Sequence, residues 1–189
     1  RLRDVALRPA ETVAVLAVAR EGHRAAPLRL SAAPPPPPTS ELGSHVAVLA
    51  GARRRATPAR AVVHTHPDEL IVMTHDPSLS GQRELTERLW RMIPEASLLL
   101  SEGVGLIAYR PPGSTEQAAA TAEALARRPL VIWDRHGAIA VGEDLEQAFD
   151  RIDAADKAAR LYLQARRAGF APKGLDDRQL EDLRRLFLG

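Results

Sequence analysis

Five consecutive prolines, Pro34 to Pro38, constrain this chain more than any other feature. Proline donates no backbone hydrogen bond and holds φ near about −65°, so the run enters neither a helix interior nor a central strand. It reads as a stiff, extended connector at 34–38 between a short N-terminal stretch and the long body that must supply the core. The whole, 189 residues, is of a size for one domain. With 45% hydrophobic and 26% charged residues the composition is that of a globular chain, and wholesale disorder is excluded.

Before the connector, Thr12 to Arg20 is valine-rich and partly alternating, which predicts a strand. Leu28 to Leu30 would pair with it across a turn at Glu21-Gly22. After it, Ser40 is the expected N-cap of a helix from Glu41 to Arg54, with Leu42, Val46 and Leu49 on one face. Ala61 to His66 reads as a strand, and Pro67-Asp68 opens a short helix. Ser80 to Met92 has helical period, with Leu85, Leu89 and Trp90 turned inward. Ala96 to Leu100 and Val104 to Tyr109 read as a strand pair joined through Ser101-Glu102-Gly103. Ser114 and Gln117 form a capping box for an alanine-rich helix to Arg128. Leu130 to Trp133 and Ala138 to Val141 are short apolar strands, followed by a long helix, Asp144 to Ala168, capped by Gly169. A last helix covers Asp176 to Leu188. The irregular alternation predicts an α/β (α+β) fold with a mixed or largely antiparallel sheet covered by helices.

The chemistry concentrates at Val63-His64-Thr65-His66-Pro67. Residues two apart on a strand share a face, with α carbons about 6.5–7 Å apart, so two imidazoles can converge on one metal ion. A catalytic zinc site commonly needs a third protein ligand. His136 is the best candidate, because Gly137 lets the backbone turn closely around it; His75 is the rival. His23 and His45 read as solvent-side residues. Glu41 and Glu95 each suit an ordinary first helical turn as well as catalysis. Thr39 and Ser40, at a helix start, could receive a phosphate, or Ser40 could serve only as a cap.

Formal net charge is +2, and all of the 26 basic residues except Lys157 and Lys173 are arginine. The arginine pairs and triplets fall near helix ends with no aromatic residues between them, so they read as solvated faces and nucleic acid is not an expected partner. The apolar run Val13 to Ala19 is too short to span a membrane, so no membrane partner is expected either. No cysteine is present, which excludes disulfides and thiol chemistry and is compatible with the expected cytoplasmic location. No glycine-rich nucleotide loop is present.

Pro38-Thr39-Ser40-Glu41-Leu42, His64-Thr65-His66, Leu89-Trp90, Glu102-Gly103-Val104-Gly105 and Trp133 through His136-Gly137 together resemble the class II (zinc) aldolase family. Phe149-Asp150-Arg151-Ile152-Asp153 with Asp156-Lys157 extends the match, which runs from about Arg3 to the end in the family's order and spacing. The resemblance implies a central, largely antiparallel sheet between helical layers. It implies one Zn2+ per subunit on His64, His66 and His136, and a catalytic glutamate at Glu41. Glu95 takes the place of a second acid that acts on a neighbouring subunit's substrate, and Thr39 and Ser40 match positions that hold substrate phosphate. The implied activity is reversible aldol cleavage of a ketose 1-phosphate to dihydroxyacetone phosphate and an aldehyde, in a homotetramer. Two departures stand out. The family's Gly-Asn-rich and Gly-Ser-Gly phosphate turns are absent, and the chain opens at Arg1 rather than Met, so an N-terminal part of the family domain is expected to be missing. Ile93-Pro94 also replaces a small-residue stretch beside Glu95.

Three rival readings remain. Other members of the family act on sugar phosphates as aldolases, epimerases or dehydratases. Adducin-like relatives keep the fold without metal ligands, whereas all three histidines are kept here. A JAMM-type zinc isopeptidase also uses a His-x-His-Pro run, but its serine and aspartate positions fall on His75 and Ser78.

Overall fold

The computed structural model describes residues 12–18, 25–28 and 37–189. Strands β1 (Val15–Val18) and β2 (Ala25–Leu28) pair antiparallel as a separate two-stranded sheet, with Val15 opposite Leu28. The turn expected at Glu21-Gly22, the strand end at Arg29 and Leu30, the residue His23 and most of the proline run lie outside the described residues.

The body follows as α1 (Leu42–Arg54), β3 (Ala61–Thr65), α2 (Asp68–Met73), a single 3-10 turn (Pro77–Leu79) and α3 (Gln82–Met92). Next come α4 (Pro94–Leu99), β4 (Val104–Ile107), α5 (Thr115–Ala124), β5 (Leu130–Trp133), β6 (Gly137–Gly142), α6 (Leu145–Arg167) and α7 (Asp177–Phe187). The main sheet has the order β3-β6-β5-β4. Its first two pairings are antiparallel and the last, β5 with β4, is parallel. The parallel pair needs a crossover, which α5 provides.

Period-2 alternation divides the core between two helical layers. Val104, Leu130, Ile132, Ala138 and Ala140 face one side, where they pack with residues of α2, α3, α4 and α6. Ile107, Val131, Trp133, Ile139 and Val141 face the other, against Val48 of α1 and Leu125 just past α5. Strands buried on both faces read as continuous apolar runs, which is why Leu130 to Trp133 shows no polar alternation. Among the described residues no helix is long and apolar enough to cross a membrane.

Several local expectations are corrected. Ala96 to Leu100 is not a strand, because Pro94 at the first helical position starts α4 and the leucines lie on its faces. A short apolar run cannot be assigned by periodicity alone. Glu41, not Ser40, occupies the N-cap position of α1, with no side-chain cap bond. Ser114 caps α5 by accepting from Gln117 N–H, but the Gln117 Oε1 has no partner, so the box is half made, and the helix ends at Ala124. The complete box is at α7, between Asp176 and Gln179. Trp90 is only half-buried, donating from Nε1 to the Leu100 carbonyl at 2.8 Å.

Candidate metal centre

β3 carries Val62 and His64 on the face that packs under α1, so His64 lies against the Trp133 ring, 4.5 Å between centroids. His66 follows just past the strand, and His136 stands in the turn that joins β5 to β6. Antiparallel pairing of β3 with β6 puts His64 opposite Ile139 and Thr65 opposite Ala138, which brings that turn beside the pair. The ring centroids are 4.7 Å apart for His64 and His66, 5.4 Å for His64 and His136, and 5.0 Å for His66 and His136. One nitrogen from each lies within 4.8 Å of the other two.

The tautomer of His64 follows from its neighbour. Its Nδ1 is 2.9 Å from the Ala138 carbonyl, which can only accept, so Nδ1 carries the proton and Nε2 presents a lone pair. That Nε2 is 3.1 Å from His66 Nε2. Two nitrogens bound to one tetrahedral zinc at the usual bond length lie about 3.3 Å apart, so this spacing is one that a shared ion produces. The carbonyl behind His64 is also the partner that metal-bound histidines ordinarily have. His136 Nδ1 is buried without any hydrogen-bond partner, a donor-set feature that a bound ion or water would relieve. The residues present therefore fit a divalent metal of the kind that imidazoles bind. Burial holds His64 well below the usual histidine value, at about 4, opposed by the Ala138 hydrogen bond, so its ring is neutral as a metal ligand must be. Burial likewise lowers His136.

Glu41 completes the cluster. It is 8% exposed, and its Oε1 is 3.9 Å from His136 Nε2. Thr39 Oγ1 donates to Glu41 Oε2 at 2.8 Å. Burial works to raise the carboxyl's pKa, but hydrogen bonds from Thr39 and Ser40 and the nearby His64 outweigh it and leave the value lowered. Glu41 is thus an ionised carboxylate beside the imidazoles.

The other expected residues sit elsewhere. Thr39 and Ser40 are exposed in the turn before α1, and Gly113 packs against the Ser40 carbonyl so closely that a Cβ there would lie 2.8 Å from it. Glu95 is exposed in the first turn of α4, outside the histidine group. His75 is exposed and also outside it, so the rival third ligand is not brought in. His45 is not a solvent-side residue: it is half-buried on α1, its pKa lowered by burial despite the Glu41 charge.

Three contributors escaped sequence reasoning. The Ala138 carbonyl is a backbone group with no residue-type signal. Trp133 floors the site and donates from its Nε1 to Thr121 Oγ1 at 3.0 Å. Arg135 adopts φ +58°, unusual for a residue with a side chain, and its N–H donates to Thr74 Oγ1 at 2.9 Å. Thr74 in turn donates to the Ile71 carbonyl at 2.7 Å, so α2 pins the turn that presents His136. A three-residue connection between strands was the only available hint, because such loops favour one left-handed residue.

The chain is similar to known proteins in sequence and in fold. The family model described as Class II Aldolase and Adducin N-terminal domain matches residues 7–163. A rhamnulose-1-phosphate aldolase of Bacteroides thetaiotaomicron is 38% identical over 183 residues, 97% of this chain and 67% of that protein. One from Listeria monocytogenes is 33% identical over 182 residues, 96% of this chain and 66% of that protein. Of solved structures, a sugar-phosphate aldolase from Thermotoga maritima superposes with a TM-score of 0.65 at 31% identity, covering 72% of this chain and 58% of that one. An L-fuculose-1-phosphate aldolase from Thermus thermophilus gives 0.58 at 25% identity, covering 80% and 73%. The chain spans about two thirds of the length of the curated relatives it matches.

Proposed function

This chain belongs to the class II aldolase and adducin family, and from that premise we propose that it is the core of a metal-dependent aldolase acting on a ketose 1-phosphate. The reading that fits best is cleavage of L-rhamnulose 1-phosphate to dihydroxyacetone phosphate and L-lactaldehyde. The convergence of His64, His66 and His136 with the Glu41 carboxylate at their edge carries it. An adducin-like binding role has no use for three converging imidazoles.

His64, His66 and His136 would hold the metal, proposed as zinc. When bound, such an ion supplies Lewis acidity to the substrate's carbonyl and adjacent hydroxyl oxygens. The remaining work falls to the chain's own groups. Glu41, held ionised by Thr39, takes the proton from the C–H beside the carbonyl of dihydroxyacetone phosphate in the condensation direction. In cleavage it returns that proton to the same carbon. Its near-complete burial keeps water from competing for the proton. Thr39 and Ser40, exposed at the start of α1, are proposed to meet the substrate phosphate. Glu95, exposed on α4, is proposed to exchange the aldehyde-side proton at a neighbouring subunit's site in a homotetramer.

The test is metal analysis with aldol-cleavage assays on the full-length protein. Expected are stoichiometric zinc, its loss in His64→Ala and His136→Ala, and retained zinc with cleavage reduced at least about a hundredfold in Glu41→Gln. A folded wild type that takes up no metal would sink the proposal. Other sugar-phosphate activities on the same centre are separated by comparing rhamnulose, fuculose and ribulose phosphates as substrates, since the fold does not decide the substrate.

A further inference from the structure

At the opposite end of the main sheet from the histidines lies a cavity of about 260 Å³. Ala61 pairs with Gly142 at that end, and Thr65 pairs with Ala138 at the metal end. Four residue steps along a strand put the two ends about 13 Å apart. The floor is apolar, formed by Val48, Ala52, Leu125 and Val141, while Arg55, Arg127, Arg128 and Arg151 stand around it.

Arg151, on the second turn of α6, is the informative member. One end of its guanidinium donates through Nη1 to the Val141 carbonyl, but its Nε is buried without a hydrogen-bond partner. A buried donor on a charged group is costly to leave unmade. Burial also lowers the Arg151 pKa, so the charge is only partly compensated where it stands. The acids nearby do not close that gap. Glu102 and Glu143 line the cavity, but both are exposed and neither makes an ion pair with Arg151. Among the described residues, Arg55 and Arg128 have no acidic partner either; only Arg127 is engaged, with Glu123 at 3.0 Å. Cationic donors thus converge on an apolar-floored hollow, and one of them points an unused N–H into buried space. A guanidinium is the donor best matched to a tetrahedral or planar oxyanion.

We propose that this cavity is a second ligand site, for a small phosphate-bearing metabolite whose oxyanion meets Arg151 and Arg55 and whose short carbon skeleton lies on Ala52, Leu125 and Val141. The site is independent of the metal centre and of the reaction carried out there. An uncharged or cationic ligand would leave the arginines unanswered and gain only a small apolar floor.

The experiment is calorimetric titration of the metal-loaded, full-length protein with inorganic phosphate, with chloride at equal ionic strength as the screening control. Arg151→Met and Arg55→Gln are compared with Thr39→Val, which alters the candidate catalytic phosphate position. The expected result is a binding component weakened about tenfold by Arg151→Met and several-fold by Arg55→Gln, and kept in Thr39→Val. Arg55 is exposed at the rim, so that variant decides the matter if Arg151→Met fails to fold. The proposal is overturned if both arginine variants bind phosphate as the wild type does, if only Thr39→Val weakens binding, or if no heat beyond the chloride control appears.

Discussion

Replacing Gly137 with alanine tests whether the proposed metal centre is built by the close approach of β6 to β3. A Cβ at this position would lie 2.5 Å from the Thr65 carbonyl oxygen, 2.8 Å from His66 Cδ2 and 3.2 Å from His64 Cε1. The first of these is backbone of the paired strand and cannot swing away. The other two are rings whose positions define the site. Relief therefore requires β6 to withdraw from β3 beside the ligands, or both rings to rotate. Overpacking of this kind costs about 1–3 kcal/mol. For a chain of this size that lowers the melting temperature by roughly 2–4 °C for each kcal/mol. Displacing two ligands should also weaken metal binding by about tenfold or more, on the scale seen when the groups that orient metal ligands are altered. The assay pairs thermal melting of the metal-free protein with zinc affinity measured by competition against a chelator. Gly169→Ala is the control: its φ is +90° but nothing lies within 4 Å of its Cβ, so only backbone strain is added and zinc affinity should hold. If Gly137→Ala bound zinc as tightly as the wild type and melted with it, the steric account of this site would be wrong.

Thr74→Val removes the acceptor for the Arg135 N–H while keeping the side chain's shape. Because that N–H is partly solvated, the stability loss should be small, about 1 kcal/mol, yet zinc affinity should fall several-fold as the His136 turn loosens, and Thr74→Ser should restore it. The metal-free protein should also lose stability in acid. With His64 held at about 4 against an ordinary 6.5, the unfolded chain binds more protons between those values. Stability contributed by neutral His64 is therefore fully present above about pH 6.5 and falls progressively toward pH 4. His66, His136 and Glu41 face it, so melts of His64→Gln, which should show a flatter profile across that interval, identify the group responsible.

How much could be read in advance depended on how local the cause was. His64 and His66 declare themselves, because period-2 geometry needs only neighbouring residues. The helix starts beside Asp144 and Asp176 are equally local. The apolar run at Ala96 to Leu100 suits strand and helix alike, and the proline just before it decides for the helix. His45 looked like a surface residue because its burial comes from packing around α1 rather than from its neighbours in sequence.

The linear chain determined which chemistry was available: imidazoles two apart on a strand, a histidine followed by a glycine, and a glutamate at a helix start. It could not determine that they meet. That was settled when β6 folded back antiparallel between β3 and β5, carrying the His136 turn to the His-x-His pair and placing the Ala138 carbonyl behind His64. Packing of α1 against the same face then brought Glu41 to 3.9 Å from His136. Contacts between residues 72 or 95 positions apart cost chain entropy that only a whole core can repay, so no window of sequence contains them.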